Sequence, residues 1–254
     1  MARGLQHATF NRSALVRVLA GALPEVTGPK YDFGERLGQW LDVSDALTLY
    51  SVLNTRAGSG APVVPADGDL AGQLARVRRH LKDSINNDGV FFAQPARIPF
   101  PVPLPNATPE AAADFSPYHR YYLAHQRDMN AAITPLRTKA RQALAGQSAA
   151  GRQLADLDAA FEKSLAARER TLLGSIPILL SKRFHQRYAD HRATLAEGSA
   201  DDPAAWTQPG SWLEAFCQDA QTVLLAELDL RLKPVSGLIA ALAAAPTKRI
   251  PDEP

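Results

Sequence analysis

Two groups of basic residues are the strongest candidates for chemistry in this sequence. Basic side chains on a helix can neutralise phosphates, and each phosphate contact releases counterions, so such clusters are typical of nucleic-acid contacts. They also occur on ordinary solvated helix faces and on surfaces that bind an acidic protein, and all three interpretations stay open. The first cluster comprises Arg76, Arg78, Arg79, His80 and Lys82, and the second comprises Lys182, Arg183, His185, Arg187 and Arg192.

The histidines are not predicted to form a metal site. His119 and His125 lie six residues apart, as do His185 and His191, and that separation places two side chains on different faces of a helix. His125 and Asp128 have the spacing of a ligand pair, but two groups do not make a site. The sequence therefore predicts no metal ion and no other cofactor.

No catalytic motif is recognisable in the sequence. The phosphate-binding loop, the dinucleotide-binding pattern, HExxH and the nucleophile elbow are all missing. The glutamates on helical segments are interpreted as solvated or salt-bridging residues rather than as a catalytic pair. The sequence thus favours a non-enzymatic protein, while an enzyme whose site assembles from scattered acidic residues and histidines stays open. These glutamates are Glu162, Glu169, Glu214 and Glu227.

The composition is that of a globular protein with a sizeable core. The chain has 254 residues, of which 46% are hydrophobic and 21% charged, and its net charge of +2 does not by itself indicate nucleic-acid binding. The single cysteine, Cys217, excludes an intrachain disulfide and is interpreted as a core residue in a reducing compartment. Because no long, clean apolar segment is present, the sequence predicts a cytoplasmic protein without a membrane span.

A helix–turn–helix unit is suggested by the segment from Gly34 to Asn54. Its second helix, expected from Ser44 to Leu53, contains no Lys or Arg, although a DNA-reading helix needs such side chains. Asp42 and Asp45 also make the start of this helix acidic, which would repel phosphate. We therefore predict a structural helix hairpin that contributes to the core, with Asp42 capping the second helix.

Residues 87–117 are too rich in proline to form one helix. We predict an extended strap, close to polyproline II, that lies across the helices through Phe100, Val102 and Leu104. The prolines of this segment lie two residues apart rather than three, which is not the PxxP pattern. A segment that binds a partner or gates a site is the alternative interpretation.

Apolar residues that recur every three or four positions predict long amphipathic helices elsewhere in the chain. Pro135 and Pro177 are expected to kink their helices. Pro234 is expected to end the last long helix, with a final apolar helix over 235–245. The expected helices cover residues 13–23, 69–86, 116–144, 154–195 and 211–232.

These elements predict an all-α fold. We expect a helical bundle in which long, kinked amphipathic helices form a coiled-coil-like hairpin, crossed by the Pro-rich extended strap. The expected parts, within one globular unit, are an N-terminal helical subdomain over 1–86, the strap over 87–117, a long-helix bundle over 118–245 and a flexible tail over 246–254.

Three blocks of the sequence resemble an uncharacterised bacterial family of domain-of-unknown-function proteins. Members of that family are encoded beside a MotA/TolQ-like membrane protein and an OmpA/MotB-like cell-wall-anchored protein. This gene neighbourhood resembles that of the type III Zorya anti-phage defence system. The likeness runs from about Ser13 to Leu242, and its blocks are FGERLGQWLDVSDALTLYSVLN, DFSPYHRYYLAHQRDMNAAITPLRTKARQAL and LLAELDLRLKPVSGLIAAL.

The resemblance implies a cytosolic accessory component of a Zorya-like defence complex. Such a component would act by binding another defence protein, the MotA/TolQ-like membrane motor or DNA. It transfers no catalytic residue, because the family has no established catalytic motif. A DNA-binding effector that uses the two basic clusters, a helical nuclease acting on phage DNA and a generic helical scaffold are the alternatives. The residues proposed for nucleic-acid or partner binding are Arg76, Arg78, Arg79, Lys82, Lys182, Arg183, Arg187 and Arg192.

Overall fold

A computed structural model describes residues 13–22, 39–54, 68–92, 94–196 and 199–244. These residues form helices joined by loops, and no β-strand occurs among them, so the predicted all-α class is confirmed. Some of the long helices are slightly bent. The elements are α1 (Ala14–Ala22), α2 (Val43–Asn54), α3 (Leu70–Asn86), α4 (Pro109–Ala112), α5 (Ser116–Gln147), α6 (Ala149–Gly174), α7 (Ile176–Thr194), a 3₁₀ helix (Pro203–Thr207) and α8 (Trp212–Ala244).

Helix α8 lies at the centre of the bundle. It contacts α1, α3, α5, α6, α7 and the 3₁₀ helix. A helix surrounded in this way must be apolar on most of its circumference, and its sequence meets that requirement. Side chains that are fully buried occur along its length, at Leu213, Val223, Leu224, Leu228, Leu232 and Val235.

Aspartates cap two of the helices, and the cap at Asp42 was predicted from the sequence. The Asp45 N–H donates to Asp42 Oδ1 at 2.7 Å, and the Asp42 N–H donates back to Asp45 Oδ2 at 3.3 Å, which is a capping box at the start of α2. Asp69 accepts the Gly72 N–H at 2.7 Å and caps α3. The first helix of the predicted helix hairpin falls mainly outside the described residues.

The expectation that α2 fills the core is mostly wrong. Leu49 is its one buried residue, and it faces α6, where Gln153 Nε2 also donates to the Leu53 carbonyl at 2.9 Å. Leu47, Tyr50 and Leu53 are the other large apolar residues in this part of the helix, and all three are exposed, Tyr50 to 67%. Regular spacing placed these residues on a helix without showing which side of it meets the bundle.

One of the proline predictions is wrong. Pro234 does not end a helix, because α8 continues through it to Ala244. Pro135 lies inside α5, as expected. A proline in a helix leaves the carbonyl four residues earlier without its N–H donor. Both rings lie on exposed faces, where water can take the place of that donor while the opposite face stays packed.

One long helix over 154–195 was expected, and the structure has two. α6 ends at Gly174 and α7 begins at Ile176, with Ser175 between them and Pro177 in the first turn of α7, a position that proline tolerates. Leu172, which a single apolar stripe along 154–195 would bury, is 51% exposed.

The strap begins at a buried aspartate. Asp88 Oδ1 accepts the backbone N–H groups of Val90 and Phe91, each at 2.7 Å, and of Phe92 at 3.1 Å. The Asp88 carbonyl accepts the Phe100 N–H at 2.8 Å, which folds the chain back on itself. These bonds satisfy backbone donors that a proline-rich segment cannot pair in a helix or sheet.

Only part of the predicted strap contact is correct. Phe100 is 2% exposed, with its ring centroid 5.3 Å from those of Tyr118 and Tyr121. Val102 and Leu104 are exposed rather than packed across the helices. Residues 109–112 form the short helix α4, capped by Thr108, so the segment is not extended throughout.

Phe100→Ala should lower the free energy of unfolding by about 3–5 kcal/mol, because it removes a buried ring from an aromatic core. Leu104→Ala is the matched control from the same segment, and its 77% exposed side chain should cost no more than about 0.5 kcal/mol. Urea denaturation of both variants measures the difference. Equal effects of the two substitutions would show that Phe100 does not anchor the strap.

Candidate functional site

Helix α3 carries a face of basic side chains without counter-ions. Leu81 and Ile85 anchor its opposite face in the core. Arg76, Arg78 and Arg79 are exposed, Lys82 is half-buried, and none of the four forms a hydrogen bond or ion pair with the described part of the chain. Because Arg78 and Lys82 are four residues apart, they lie one turn apart on the same side of the helix. The face from Arg76 to Lys82 is called the α3 basic face below.

A shallow groove of about 430 Å³ runs along the α3 basic face. Small side chains at Ala71 and Ala75 form a low surface beside the long basic side chains. Asp83 is the one acidic residue among its described lining residues. The described lining comprises Ala71, Leu74, Ala75, Arg78, Arg79, Lys82, Asp83 and Asn86.

Two arginines of the second basic cluster form ion pairs within the protein. Arg183 and Arg187 of α7 both donate to Asp219 Oδ2 of α8, with N–O distances of 2.8 Å and 2.5 Å. Burial would raise the pKa of Asp219, but these two hydrogen bonds lower it below its usual value. Lys182 and Arg192 remain exposed. Arg183 and Arg187 therefore join α7 to α8, and the binding role expected for this cluster stays a prediction.

A buried ionic network between α5 and α8 was missed by the sequence analysis. Glu227 is 0% exposed and accepts hydrogen bonds from Tyr122 Oη at 2.7 Å, from Gln126 Nε2 at 3.0 and 3.1 Å, and from Arg231 Nε at 2.7 Å. Burial and the adjacent carboxylate raise the pKa of Tyr122 well above its usual value. Arg231 Nη1 donates to Asn130 Oδ1 at 2.8 Å.

The expectation that Glu227 is solvated or salt-bridging is thus only half correct. It is salt-bridged, but it is entirely buried. The i,i+4 spacing of Glu227 and Arg231 was a signal for the pair, and the apolar residues on both sides of Glu227 were a signal for its burial.

A second ionic network joins α5 to α6. Arg137 donates through Nε and Nη2 to Asp158 at 2.9 and 2.7 Å, and Arg141 Nε donates to the same carboxylate at 2.6 Å. Glu162 pairs with both arginines. Burial opposes ionisation of Asp158, but the two guanidinium groups lower its pKa overall. This network holds the α5–α6 hairpin in register.

The two networks flank a groove of about 470 Å³ between α5, α6 and α8, which is called the interhelical groove below. Its volume lies in the range of small-molecule sites. Arg231 and Gln126 lie at the α8 side, and Arg137 and Glu162 lie at the α5–α6 side. The described lining comprises Leu123, Gln126, Asn130, Ile133, Thr134, Arg137, Glu162, Ala166, Glu169, Arg170, Leu173, Gly174 and Arg231.

His125 and Cys217 both lie in the core. His125 is 1% exposed, its ring centroid is 4.7 Å from that of Tyr121, and its Nε2 has no hydrogen-bond partner. Burial, assisted by the positive charge of Arg97, lowers the pKa of His125 to about 4. Burial raises the pKa of the Cys217 thiol, which packs as the core residue that the sequence predicted.

Among the residues that the structure describes, no group of three or more His, Cys, Asp or Glu side chains could hold a metal ion. Within the same ranges, no helix combines the length and the apolar character that a bilayer crossing requires.

The family can be named from a comparison with protein families. A family model described as "Protein of unknown function (DUF3348)" matches residues 1–244. The chain belongs to this family. The resemblance to an uncharacterised domain-of-unknown-function family is thereby confirmed. No curated protein and no solved structure matches the chain.

Glu227→Gln should lower the free energy of unfolding by about 3–5 kcal/mol, because it leaves Arg231 partly buried without its counter-charge. Asp229→Asn, an exposed position of the same helix, is the matched control and should change stability by no more than about 0.5 kcal/mol. Chemical denaturation of both variants tests this. A neutral Glu227→Gln would mean that the buried pair adds nothing to stability.

The stability of the protein should fall between pH 6.5 and pH 4. His125 binds a proton at its usual pKa in the unfolded chain but only at about pH 4 in the folded one, so the unfolded state binds more protons in this window. The loss attributable to His125 is on the order of 2–3 kcal/mol.

His125→Leu should flatten this part of the curve of unfolding free energy against pH. Leu104→Ala, which removes an exposed side chain outside the buried cluster, should keep the wild-type slope. A His125→Leu variant with the wild-type slope would refute the assignment of the pH dependence to this residue.

Proposed function

We propose that the protein is a non-enzymatic binding component that contacts a polyanion, and in the first place DNA, through the α3 basic face. The observation that supports this proposal is the contrast between the two basic clusters. Arg183 and Arg187 share one carboxylate and join two helices, whereas Arg76, Arg78, Arg79 and Lys82 have no acidic partner in the described structure. Cations without a structural role are available for phosphates.

The groove on this face supports contact with a backbone rather than with base edges. Arg78, Arg79 and Lys82 surround small alanine side chains, so phosphates can approach the helix closely. Arginine presents a planar set of donors that fits phosphate oxygens in pairs. Binding of this kind depends on charge more than on base sequence.

We further propose that this binding serves a Zorya-like anti-phage complex in the cytoplasm. The resemblance of the three sequence blocks supports this part of the proposal. A defence partner protein, including the MotA/TolQ-like membrane motor, is the second candidate for the binding partner. An acidic protein surface would use the same basic side chains.

The triple variant Arg78→Gln, Arg79→Gln and Lys82→Gln should weaken binding to a short DNA duplex in fluorescence anisotropy. The slope of log Kd against log salt concentration should decrease by about 3, because each lost phosphate contact removes about 0.9. The double variant Lys182→Gln and Arg192→Gln is the matched control, since both residues are exposed cations of the other cluster. It should keep the wild-type affinity and slope.

A flat salt response of the wild-type protein, or equal losses in the two variants, would contradict the proposal. In a host that the system protects, deletion of the gene and the triple variant should both restore phage plating, while the double variant should not. If the triple variant no longer bound DNA but still protected the host against phage, the defence role would not depend on DNA binding.

A further inference from the structure

We propose that the interhelical groove binds a small organic monoanion, with a carboxylate or phosphate-ester head group on an apolar body. This site is separate from the α3 basic face and uses none of its residues. It goes beyond the proposed function, because it adds a small-molecule ligand to a component that binds macromolecules.

The groove offers hydrogen-bond donors whose positions are fixed by the core. A guanidinium group has five N–H donors, and in Arg231 Nε and Nη2 are bound to Glu227 while Nη1 is bound to Asn130. One N–H on each terminal nitrogen is left over. Glu227 is itself held by Tyr122 and Gln126, so Arg231 cannot turn away from the groove. A fixed donor pair of this kind suits an oxyanion.

Arg170 favours a negatively charged ligand, because it has no described counter-ion. Arg137 is neutralised by Asp158 and Glu162, and Arg231 is neutralised by Glu227. Arg170 is exposed and forms no hydrogen bond or ion pair with the residues that the structure describes. An oxyanion between Arg170 and Arg231 would supply the ion pair that Arg170 lacks in the described structure.

The other lining residues limit the charge and the shape of the ligand. Glu169 also lines the groove without a described partner, and its charge disfavours a ligand with several negative groups, such as a nucleic acid. Leu123, Ile133, Ala166 and Leu173 form apolar walls. A single anionic head on a short apolar body fits both features.

A ligand bound in the interhelical groove would also stabilise the junction between α6 and α7. Gln126 Nε2 donates to the Leu173 carbonyl at 3.0 Å, in the last turn of α6, and Gly174 lines the groove. A ligand in contact with Arg170 and Arg231 would bridge the end of α6 to α8. Binding to the folded state alone raises stability in proportion to the logarithm of ligand concentration.

The test uses three probes of similar size at pH 7 and constant ionic strength. Hexanoate and the phosphate diester methyl hexyl phosphate carry the two candidate head groups as monoanions, and hexanamide is the uncharged control. At least one of the anions should raise the Tm of the full chain and bind in calorimetry, while hexanamide should do neither. The anion that binds more tightly identifies the head group.

Substitutions of two neighbouring arginines test whether the anion binds in the interhelical groove. Arg170→Gln should raise the Kd of the binding anion at least tenfold, because it removes the unpaired cation. Arg168→Gln is the matched control, since Arg168 is an exposed arginine of α6 that does not line the groove. It should keep the wild-type Kd.

Three results would overturn the inference. They are no binding of either anion, equal binding of hexanamide, and equal effects of the Arg170 and Arg168 substitutions. The triple variant of the α3 basic face should bind the anion normally. Loss of DNA binding with retained anion binding, or the reverse, therefore shows which of the two proposals has failed.

Discussion

The burial of Glu227 is the constraint on which the rest of the structure depends. α8 is surrounded by other helices, so any charge on its inner faces must be compensated within the core. Moving a carboxylate out of water costs several kcal/mol unless charge and hydrogen bonds replace its hydration. Tyr122 and Gln126 of α5 and Arg231 of α8 supply that replacement. Because these donors must all bind one carboxylate, α5 and α8 have a single favourable register. That register determines which apolar side chains of the two helices contact one another.

The same reasoning explains why the basic residues have such different roles. Three acidic side chains at helix contacts are paired with arginines from a neighbouring helix. Asp158 and Glu162 engage arginines of α5, and Asp219 engages arginines of α7. α3 meets the core mainly through apolar residues and forms no ion pair with the residues that the structure describes, so its cations have no such partner. Charge that is not required for packing remains on the surface, where it can contact a ligand.

Periodicity predicted most of the helices, because amphipathic spacing reflects burial of one face. The limits of that signal appear at particular residues. Tyr50 has helical spacing yet faces away from the bundle, and Pro234 lies within a helix because its ring meets solvent rather than a neighbour. Which side of a helix is covered depends on tertiary contacts that one sequence does not encode locally.

The candidate sites show the same division. The α3 basic face could be predicted, since its residues are consecutive in sequence and a single helix gathers them. The interhelical groove could not, because Gln126, Arg170 and Arg231 are brought together by three different helices. In the sequence, Arg183 and Arg187 cannot be told apart from the unpaired arginines of α3. Their ion pairs with Asp219 are formed only when α7 packs against α8.

The chemistry of the groove follows directly from the constraint at Glu227. A carboxylate with no access to water requires a cation, and arginine satisfies it through Nε and Nη2 while one N–H on each terminal nitrogen is left over. A lysine could neutralise the charge but would leave no planar pair of donors. The core thus fixes a guanidinium group at the wall of the groove at no further entropic cost, which is what a small anion needs to bind tightly. Packing and binding are in this view two consequences of one buried charge.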